Sequence, residues 1–276
     1  MISSIEAWSK EAVLSHLSPQ IAEMIHHFRV EERVGSTNDV VAELMREHAV
    51  SGVICLAEEQ TNGRGRLGRS WLSPLSKGFY GSLGWIFQDG IAAAEGLSLA
   101  IGVAILRALY RLGIVGVQLK WPNDVVVGEA KLGGVLIESQ VEAAGSCRVV
   151  IGVGLNVSVP EGLSERLGRQ ITSIDFLTGY AVKRNELGAI LLEEIIRILV
   201  DYPSKGFSTV QEEWLRHDAL INADVVVTGL GEGVSGIARG VNEQGALKLE
   251  TPSGLQLIHA GEVSLLRGRR GHKLLF

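Results

Sequence analysis

Residues 63–71 most restrict how this chain can fold, because they place three glycines and three arginines ahead of a tryptophan. Glycine permits positive φ and lets the backbone approach a ligand closely. Arginine carries a permanent charge on a fork-shaped set of donors. Such a segment suits neither a helix, a strand nor a core. We therefore predict a loop that binds an anion and becomes ordered when the anion arrives.

The composition confines anion binding to a local site. The 276 residues carry a net charge of −5, so no overall field favours nucleic acid. With 46% apolar residues the chain can bury a sizeable core, as one large domain or a medium domain plus a small one. The start of the chain lacks the basic and apolar regions of a signal peptide. The longest apolar stretch contains Glu95 and Arg107, so we expect a buried helix and no membrane span. The Cys-poor chain fits a reduced, cytoplasmic setting.

Apolar periodicity predicts two folded parts. Helices are expected in pieces over residues 1–28 and then at 92–112, 185–200 and 207–217. Strands are expected at 29–34, 52–57, 78–87, 115–120, 125–127, 135–138 and 149–157. From about residue 224 the chain changes to short strands separated by turns, which predicts a small β-barrel. The two cysteines have no metal-ligand spacing, so we interpret Cys55 and Cys147 as buried in a reduced compartment.

Two predicted strands share an unusual face. Side chains alternate along a strand, so in strand 149–157 one face is apolar and the other carries Val150, Gly152, Gly154 and Asn156. In strand 115–120 the same alternation groups Gly116, Gln118 and Lys120. A small and polar face on two strands favours the floor of a groove over an internal packing compromise. A lysine at such a strand end is otherwise an ordinary solvated residue.

Two turns add polar groups near this face. Ser36 or Thr37 can cap the helix that follows, and the amide-rich end of that helix attracts polar or anionic groups. The alternative that Ser36 and Thr37 only cap the helix, and bind no ligand, stays open at this point. The glycine pair Gly133-Gly134 lies inside a predicted hairpin and indicates a kink or bulge beside a ligand.

The chemistry that these residues allow is activation of a carboxylate. No Ser-His-Asp arrangement or zinc spacing is present, and the glycine–arginine loop is neither a P-loop nor a dinucleotide fingerprint. Its arginines can hold a carboxylate and a polyphosphate together, while Lys120 neutralises a shared transition state. Trp71 offers a flat face to a purine. The residues alone thus predict an ATP-dependent carboxylate-activating enzyme.

The sequence resembles the biotin–protein ligases, also called biotin–[acetyl-CoA-carboxylase] ligases, over residues 29–267. The matching motifs are Ser36-Thr37-Asn38, Gln60 with the 63–71 loop, Lys120-Trp121-Pro122-Asn123-Asp124, and residues 131–138, 152–156, 245–247 and 261–264. The resemblance implies an α+β fold, with a mixed-sheet catalytic domain of the biotin/lipoate ligase type at 29–220. It also implies an SH3-like domain with a basic tail at 221–276. Residues 1–28, which precede the catalytic domain, are expected to be a short helical segment.

The resemblance also implies a two-step reaction. Such enzymes form biotinyl-5′-adenylate from biotin and ATP with Mg²⁺, release pyrophosphate, and transfer biotin to one lysine of a biotin carboxyl carrier protein. Position by position, Lys120 and Arg66 become the expected catalytic residues. The expected contacts to biotin or its adenylate are Ser36, Thr37, Asn38, Gln60, Arg64, Gly65, Arg66, Lys120, Gly133, Gly134 and Gly152. The expected nucleotide contacts are Arg69, Trp71, Asn123, Lys131 and Asn156, and no metal ligand is assigned.

The resemblance divides the arginines by task and limits the partners. Arg64 and Arg66 are expected toward the biotin carboxyl and its adenylate, and Arg69 toward the outer phosphates. Some relatives carry an N-terminal winged helix that represses genes, but only about 28 residues precede the catalytic domain. We therefore expect a ligase that binds neither DNA nor membranes and is not a repressor. The family often dimerises by pairing sheets at their edges, so a homodimer is a further expectation.

Two other functions remain open on the sequence. A lipoyl or octanoyl transferase belongs to the same superfamily, but it lacks an arginine-rich loop of this form. The octanoyl type also needs a nucleophilic cysteine, for which Cys147 has no evident partner. A regulator that binds the ligand without catalysis is the second alternative.

Overall fold

The computed structural model describes residues 6–88, 90, 95–142, 145–160, 162–229 and 233–266. They form an α+β protein with a seven-stranded mixed sheet and a five-stranded antiparallel sheet, which confirms the predicted fold class. The predicted start of the helix at residue 92 and the basic tail from residue 267 lie outside the described residues.

The large sheet has the order β1-β2-β3-β7-β6-β5-β4. Among the described strands of this sheet, β1 and β2 pair in parallel and the other neighbours pair antiparallel. Its strands are β1 (His27–Val34), β2 (Val53–Gln60), β3 (Gly78–Phe87), β4 (Gln118–Lys120), β5 (Asp124–Val127), β6 (Ala130–Val141) and β7 (Cys147–Asn156). The helices around it are α1 (Lys10–Ser15), α2 (Pro19–Ala22), α3 (Thr37–His48), α4 (Leu97–Arg111), α5 (Leu163–Leu167), α6 (Ile174–Thr178), α7 (Arg184–Lys205) and α8 (Ser208–Arg216).

Helices α4 and α7 bury one face of this sheet. Most of α4 is apolar on every side, as expected for a helix enclosed by other elements. Its residues join one core with Leu83 of β3 and with Ile151 and Leu155 of β7. The apolar parity predicted for strand 149–157 is therefore confirmed on this side.

Helix α3 covers only part of the opposite face. Val41 and Met45 pack on Val53, Cys55 and Val150 in a second, smaller core. The helix lies so close that a Cβ on Gly84 would stand 2.3 Å from the sulfur of Met45. Beyond the N-terminus of α3 the same face of β7 carries Gly152 and Gly154, so the sheet surface is left open there.

The N-terminal segment packs on the catalytic domain around a buried ion pair, which residues 6 and 8 contact. Arg184, at the start of α7, donates to Glu58 of β2 at 2.7 Å. Only 2% of the Arg184 side chain and 10% of the Glu58 side chain are exposed. Glu58 also accepts the backbone N–H of Trp8 at 2.7 Å. The Arg184 guanidinium lies 4.4 Å from the centroid of the Trp8 ring and donates to the carbonyl of Glu6. Trp8 packs edge-on against Phe79 of the core.

The small sheet has the order β11-β10-β9-β8-β12. Its strands are β8 (Asp224–Thr228), β9 (Val234–Val241), β10 (Leu247–Thr251), β11 (Gly254–Ile258) and β12 (Glu262–Leu265). It contacts the catalytic domain where the indole N–H of Trp121 donates to the carbonyl of Gly245 at 3.0 Å. The domain limits at residues 28 and 220 stay predictions.

Strand β4 is shorter than its prediction. The strand begins at Gln118, because Gly116 takes φ +78° and breaks the extended run. Gly116 therefore does not share a face with Lys120, and the predicted strand start at residue 115, where Val115 is 71% exposed, was wrong. The predicted bulge in the next hairpin is confirmed, since the β5–β6 register shifts between Val125 and Val126, opposite Gly133.

No helix among the described residues is long and apolar enough to cross a membrane.

Replacing Arg184 by Met should lower the free energy of unfolding by about 3–5 kcal/mol, because Glu58 would stay buried without its cation. The matched control is Lys205→Met on the same helix, whose ion pair with Asp201 leaves the two side chains 50% and 59% exposed. That control should lose less than about 1 kcal/mol. Urea denaturation measures both values, and equal losses in the two variants would contradict the assigned role of the Glu58–Arg184 pair.

Candidate functional site

A cavity of about 670 Å³ lies on the open part of the large sheet, between the N-terminus of α3, the 63–71 loop and strand β12. Most of the predicted site residues line it: Ser36, Thr37, Asn38, Gln60, Arg64, Gly65, Arg66, Arg69, Trp71, Lys120, Asn123, Lys131, Gly134 and Gly152. Gly133 and Asn156 are not among the described lining residues. A Cβ on Gly133 would point at Leu155 and the carbonyl of Gly154, on the packed side of the strand.

The floor of the cavity depends on two glycines of β7. A Cβ on Gly152 would stand 2.4 Å from Oδ1 of Asn38. A Cβ on Gly154 would stand 2.6 Å from the indole of Trp71. Asn38 of α3 and Trp71 of the loop therefore occupy the space that side chains at positions 152 and 154 would otherwise fill.

The N-terminus of α3 forms a fixed polar wall. The backbone N–H and the hydroxyl of Thr37 both lie within hydrogen-bond reach of Oε1 of Gln60, at 2.9 and 3.1 Å. Gln60 in turn donates to the hydroxyl of Ser73 at 2.9 Å. Ser82 of β3, which the sequence interpretation missed, lies 2.7 Å from Oγ1 of Thr37 and 2.6 Å from Oδ1 of Asn38. A serine on a glycine-rich strand gave no pattern by which to select it.

The 63–71 loop folds back on itself. Its ends are joined by the N–H of Gly65 donating to Arg69 O at 2.7 Å and by the N–H of Trp71 donating to Gly63 O at 2.8 Å. Leu67, at the tip, takes φ +54° and is 66% exposed. The backbone of the loop is therefore held in one conformation by its own hydrogen bonds.

The three arginines of the loop have different partners. Arg64 forms a fork with Asp39 of α3 at 2.7 and 2.8 Å and also reaches Glu138 of β6 at 3.3 Å. The hydrogen bonds from Arg64 hold the pKa of Asp39 below its usual value, so that carboxylate is ionised at neutral pH. Because two carboxylates outweigh one guanidinium, this end of the cavity offers polar groups but no excess positive charge.

The other two arginines face the C-terminal domain. Arg69 forms an ion pair with Glu262 of β12, and Arg66 donates to the carbonyl of Gly261 at 3.3 Å. Burial lowers the pKa of Arg66 from its usual value, but a guanidinium stays charged at neutral pH. No carboxylate lies within ion-pair distance of Arg66 among the described residues. Arg66 therefore remains a cation that an anion can approach.

Positive charge gathers at the end of the cavity formed by β4, β5 and β6. Lys120, half-buried at the end of β4, has no hydrogen-bond or ion-pair partner in the described part of the chain. Lys131 of β6 pairs with Asp124 at 2.5 Å and lies 5.5 Å from the centroid of the Trp71 ring. Three strand spacings of about 4.8 Å separate β7 from β4, so Lys120 lies on a strand roughly 14 Å across the sheet from β7.

The two predicted nucleotide asparagines have structural partners. Asn123 donates to the carbonyl of Val135 at 2.7 Å, which ties β5 to β6. Asn156 donates to the carbonyls of Lys131 and Thr172, at 3.3 and 3.0 Å. Arg169, which the sequence interpretation did not select, is an exposed residue of the cavity lining.

Neither cysteine belongs to the site. Both are fully buried outside the described cavity lining. Burial raises the pKa of the Cys55 thiol to about 12 and also raises the pKa of Cys147. Thiols with raised pKa values are poor nucleophiles at neutral pH.

Comparison with known families matches both parts of the chain. Residues 30–156 match the biotin/lipoate A/B protein ligase family, and residues 220–266 match the biotin protein ligase C-terminal domain.

Relatives cover most of the chain. The biotin–[acetyl-CoA-carboxylase] ligase of Paracoccus denitrificans is 35% identical over 213 residues, which span 75% of this chain and 88% of that protein. The bifunctional ligase/repressor BirA of Escherichia coli is 34% identical over 236 residues, or 84% of this chain and 72% of that protein. The biotin protein ligase of Aquifex aeolicus, solved in complex with biotin and ATP, superposes with a TM-score of 0.73 at 29% identity. That superposition covers 88% of this chain and all of the other.

Replacing Gly154 by Ala should displace the Trp71 ring, because the new methyl group would overlap the indole. The matched control is Gly35→Ala, where a Cβ meets nothing within 4 Å and the glycine has no positive φ. The measurement is the indole N–H resonance of Trp71, assigned with a Trp71→Phe variant. It should move in Gly154→Ala and stay in Gly35→Ala. An unmoved resonance in Gly154→Ala would refute the contact.

Proposed function

The chain belongs to the biotin/lipoate A/B protein ligase family, and we propose from that premise how its groove activates biotin. The predicted enzyme class is confirmed by curated biotin–[acetyl-CoA-carboxylase] ligases that are similar over most of their length. The enzyme joins biotin to ATP as biotinyl-5′-adenylate, releases pyrophosphate, and transfers biotin to a lysine of a carboxylase carrier protein with loss of AMP.

The observation that supports this mechanism is the unequal charge of the two ends of the groove. Thr37, Asn38 and Gln60 offer hydrogen bonds at an end where carboxylates already neutralise Arg64. Lys120 offers positive charge at the other end, and Arg66 adds its charge there, since it interacts electrostatically with Asp124 of β5. The uncharged ring system of biotin fits the first end, and its carboxylate fits the second. We therefore assign the carboxylate to Arg66 and Lys120, and we withdraw Arg64 from the direct contact first expected of it.

Adenylation in this groove is positional and electrostatic. Lys120 and Arg66 bring the carboxylate and the α-phosphate together, although their like charges repel. A carboxylate oxygen attacks the α-phosphorus, the bond to the bridging oxygen breaks, and pyrophosphate leaves. Lys120 stabilises the charge that develops on the transferred phosphoryl group. Trp71 and Lys131 lie beside this end, where they contact the nucleotide.

A magnesium ion would enter this cavity bound to the phosphates of ATP. Asp124 and Glu262 line the cavity, but Lys131 and Arg69 neutralise them. The described residues also contain no group of three potential metal ligands. Magnesium commonly binds substrate phosphates and keeps several waters. When bound to ATP it supplies neutralisation of phosphate charge, while the protein contributes its fixed cations.

The second step transfers the acyl group. The loop and β12 shield the mixed anhydride from water. The amine of the carrier lysine attacks the acyl carbon, its nitrogen forms the amide bond, and AMP takes the electron pair of the broken C–O bond. The attacking amine is in its neutral form, and the proton that its nitrogen loses in this step passes to solvent.

Several finer features remain part of the proposal. They are a homodimer, a cytoplasmic location and the SH3-like character of the C-terminal domain. The carrier protein is proposed from the substrate in the names of similar ligases. The contacts of individual residues with biotin and the nucleotide are proposals on the same footing.

Product analysis separates this function from the two alternatives. The protein is incubated with apo-carrier, MgATP and either biotin or lipoate, and the mass of the carrier is measured. A mass increase with biotin alone is the expected outcome. An increase with lipoate alone would identify a lipoyl transferase, while tight biotin binding without pyrophosphate release would identify a regulator. The buried cysteines already disfavour the octanoyl type.

Replacing Lys120 by Met should reduce the rate of adenylation by about 100-fold or more, because a cation that stabilises the transition state is lost. The readout is biotin-dependent pyrophosphate release at saturating biotin and ATP. The exposed Lys10→Met on α1 serves as the control and should retain wild-type turnover. Near-normal turnover in Lys120→Met would remove Lys120 from the mechanism.

A further inference from the structure

Arg64 joins the loop to two separate elements of the catalytic domain. Its two terminal nitrogens donate to the two carboxylate oxygens of Asp39 at 2.8 and 2.7 Å. One of them also lies 3.3 Å from both oxygens of Glu138. A two-pronged arginine–carboxylate contact is stronger and more directional than a single ion pair. The loop is thereby tied to α3 and β6 at once.

Glu138 has a second contact in the wall of the groove. Its carboxylate accepts a hydrogen bond from Nδ2 of Asn38 at 2.7 Å. The other end of that amide, Oδ1, lies 2.6 Å from the hydroxyl of Ser82 and against Gly152. One carboxylate thus holds both the loop and the side chain that closes the polar end of the floor.

We propose that Asp39 and Glu138 are positioning residues which act through Arg64 to keep the loop over the groove and slow the escape of the acyl-adenylate. The proposal rests on the function proposed above, since it concerns the intermediate of that reaction. Neither carboxylate touches the reacting atoms. Their effect falls on how long the intermediate stays bound, and not on how fast it forms.

The physical argument concerns which contacts must break for the loop to open. Opening near Arg64 breaks the fork with Asp39 and the contact with Glu138, while the far side of the loop is held separately by the Arg69–Glu262 pair. Arg64 is already neutralised, so an incoming anion gains little from displacing the two carboxylates. Removing one of these charges weakens the closed state but leaves Lys120 and Arg66 in place.

The experiment measures retention and formation separately in Asp39→Asn and Glu138→Gln. Labelled biotinyl-adenylate is formed on the enzyme from biotin and MgATP, and its release is followed after an excess of unlabelled biotin is added. Release should be about 3- to 10-fold faster in each variant, as expected for loss of a partly exposed, two-pronged ion pair. Single-turnover adenylation should stay within about 2-fold of wild type for Asp39→Asn. The control is Glu59→Gln, which removes a 3.0 Å ion pair with Arg33 outside the loop and should not change release.

A double-mutant cycle tests whether Asp39 acts through Arg64. In an Arg64→Met background, Asp39→Asn should have no further effect on release. The proposal is overturned if Asp39→Asn and Glu138→Gln release adenylate at the wild-type rate, or if Asp39→Asn keeps its full effect without Arg64. Failure of the proposed function gives a different result, because the wild-type protein would then form no adenylate at all.

Discussion

The site depends on two side chains that β7 does not have. At residues 152 and 154 the strand presents only backbone, and Asn38 and Trp71 fill the space where a Cβ would stand. Asn38 brings the N-terminus of α3 onto the sheet, and Trp71 brings the end of the arginine loop. If either position carried a larger residue, Asn38 and Trp71 could not both pack on this strand. The shape of the groove therefore follows from close contact between backbone and side chain.

The charges of the site are distributed between two parts of the fold. Arg64 is neutralised within the catalytic domain, whereas Arg69 is neutralised by Glu262 of the C-terminal sheet. The loop thus bridges the two domains, and its arginines have structural as well as binding roles. Lys120 and Arg66 are left for anionic groups, and this division orients a ligand that has one neutral end and one acidic end.

The sequence predicted features that depend on local pattern and missed those that depend on distant partners. Alternation along β7 identified its groove face because the strand is regular throughout. The same reasoning failed at Gly116, where a positive φ interrupts β4 before the alternation can apply. The residue type of Arg64 indicated anion binding, but its actual partners include Glu138, which lies 74 residues away. Propensity and spacing carry no information about such a contact.

The contacts around the Glu58–Arg184 pair limit when the N-terminal segment can pack during synthesis, because its partners on α7 are translated much later. Ser9 at the start of α1 is hydrogen-bonded to Asn185, 176 residues later in the chain. At a ribosomal rate of about 5–20 residues per second, roughly 10–35 s separate the synthesis of these partners. Trp8 and its neighbours therefore leave the ribosome early but reach their binding place only after the first turn of α7 has emerged. Residues 6–9 are thus translated long before their partners on α7, and they are among the last parts of the catalytic domain to be secured.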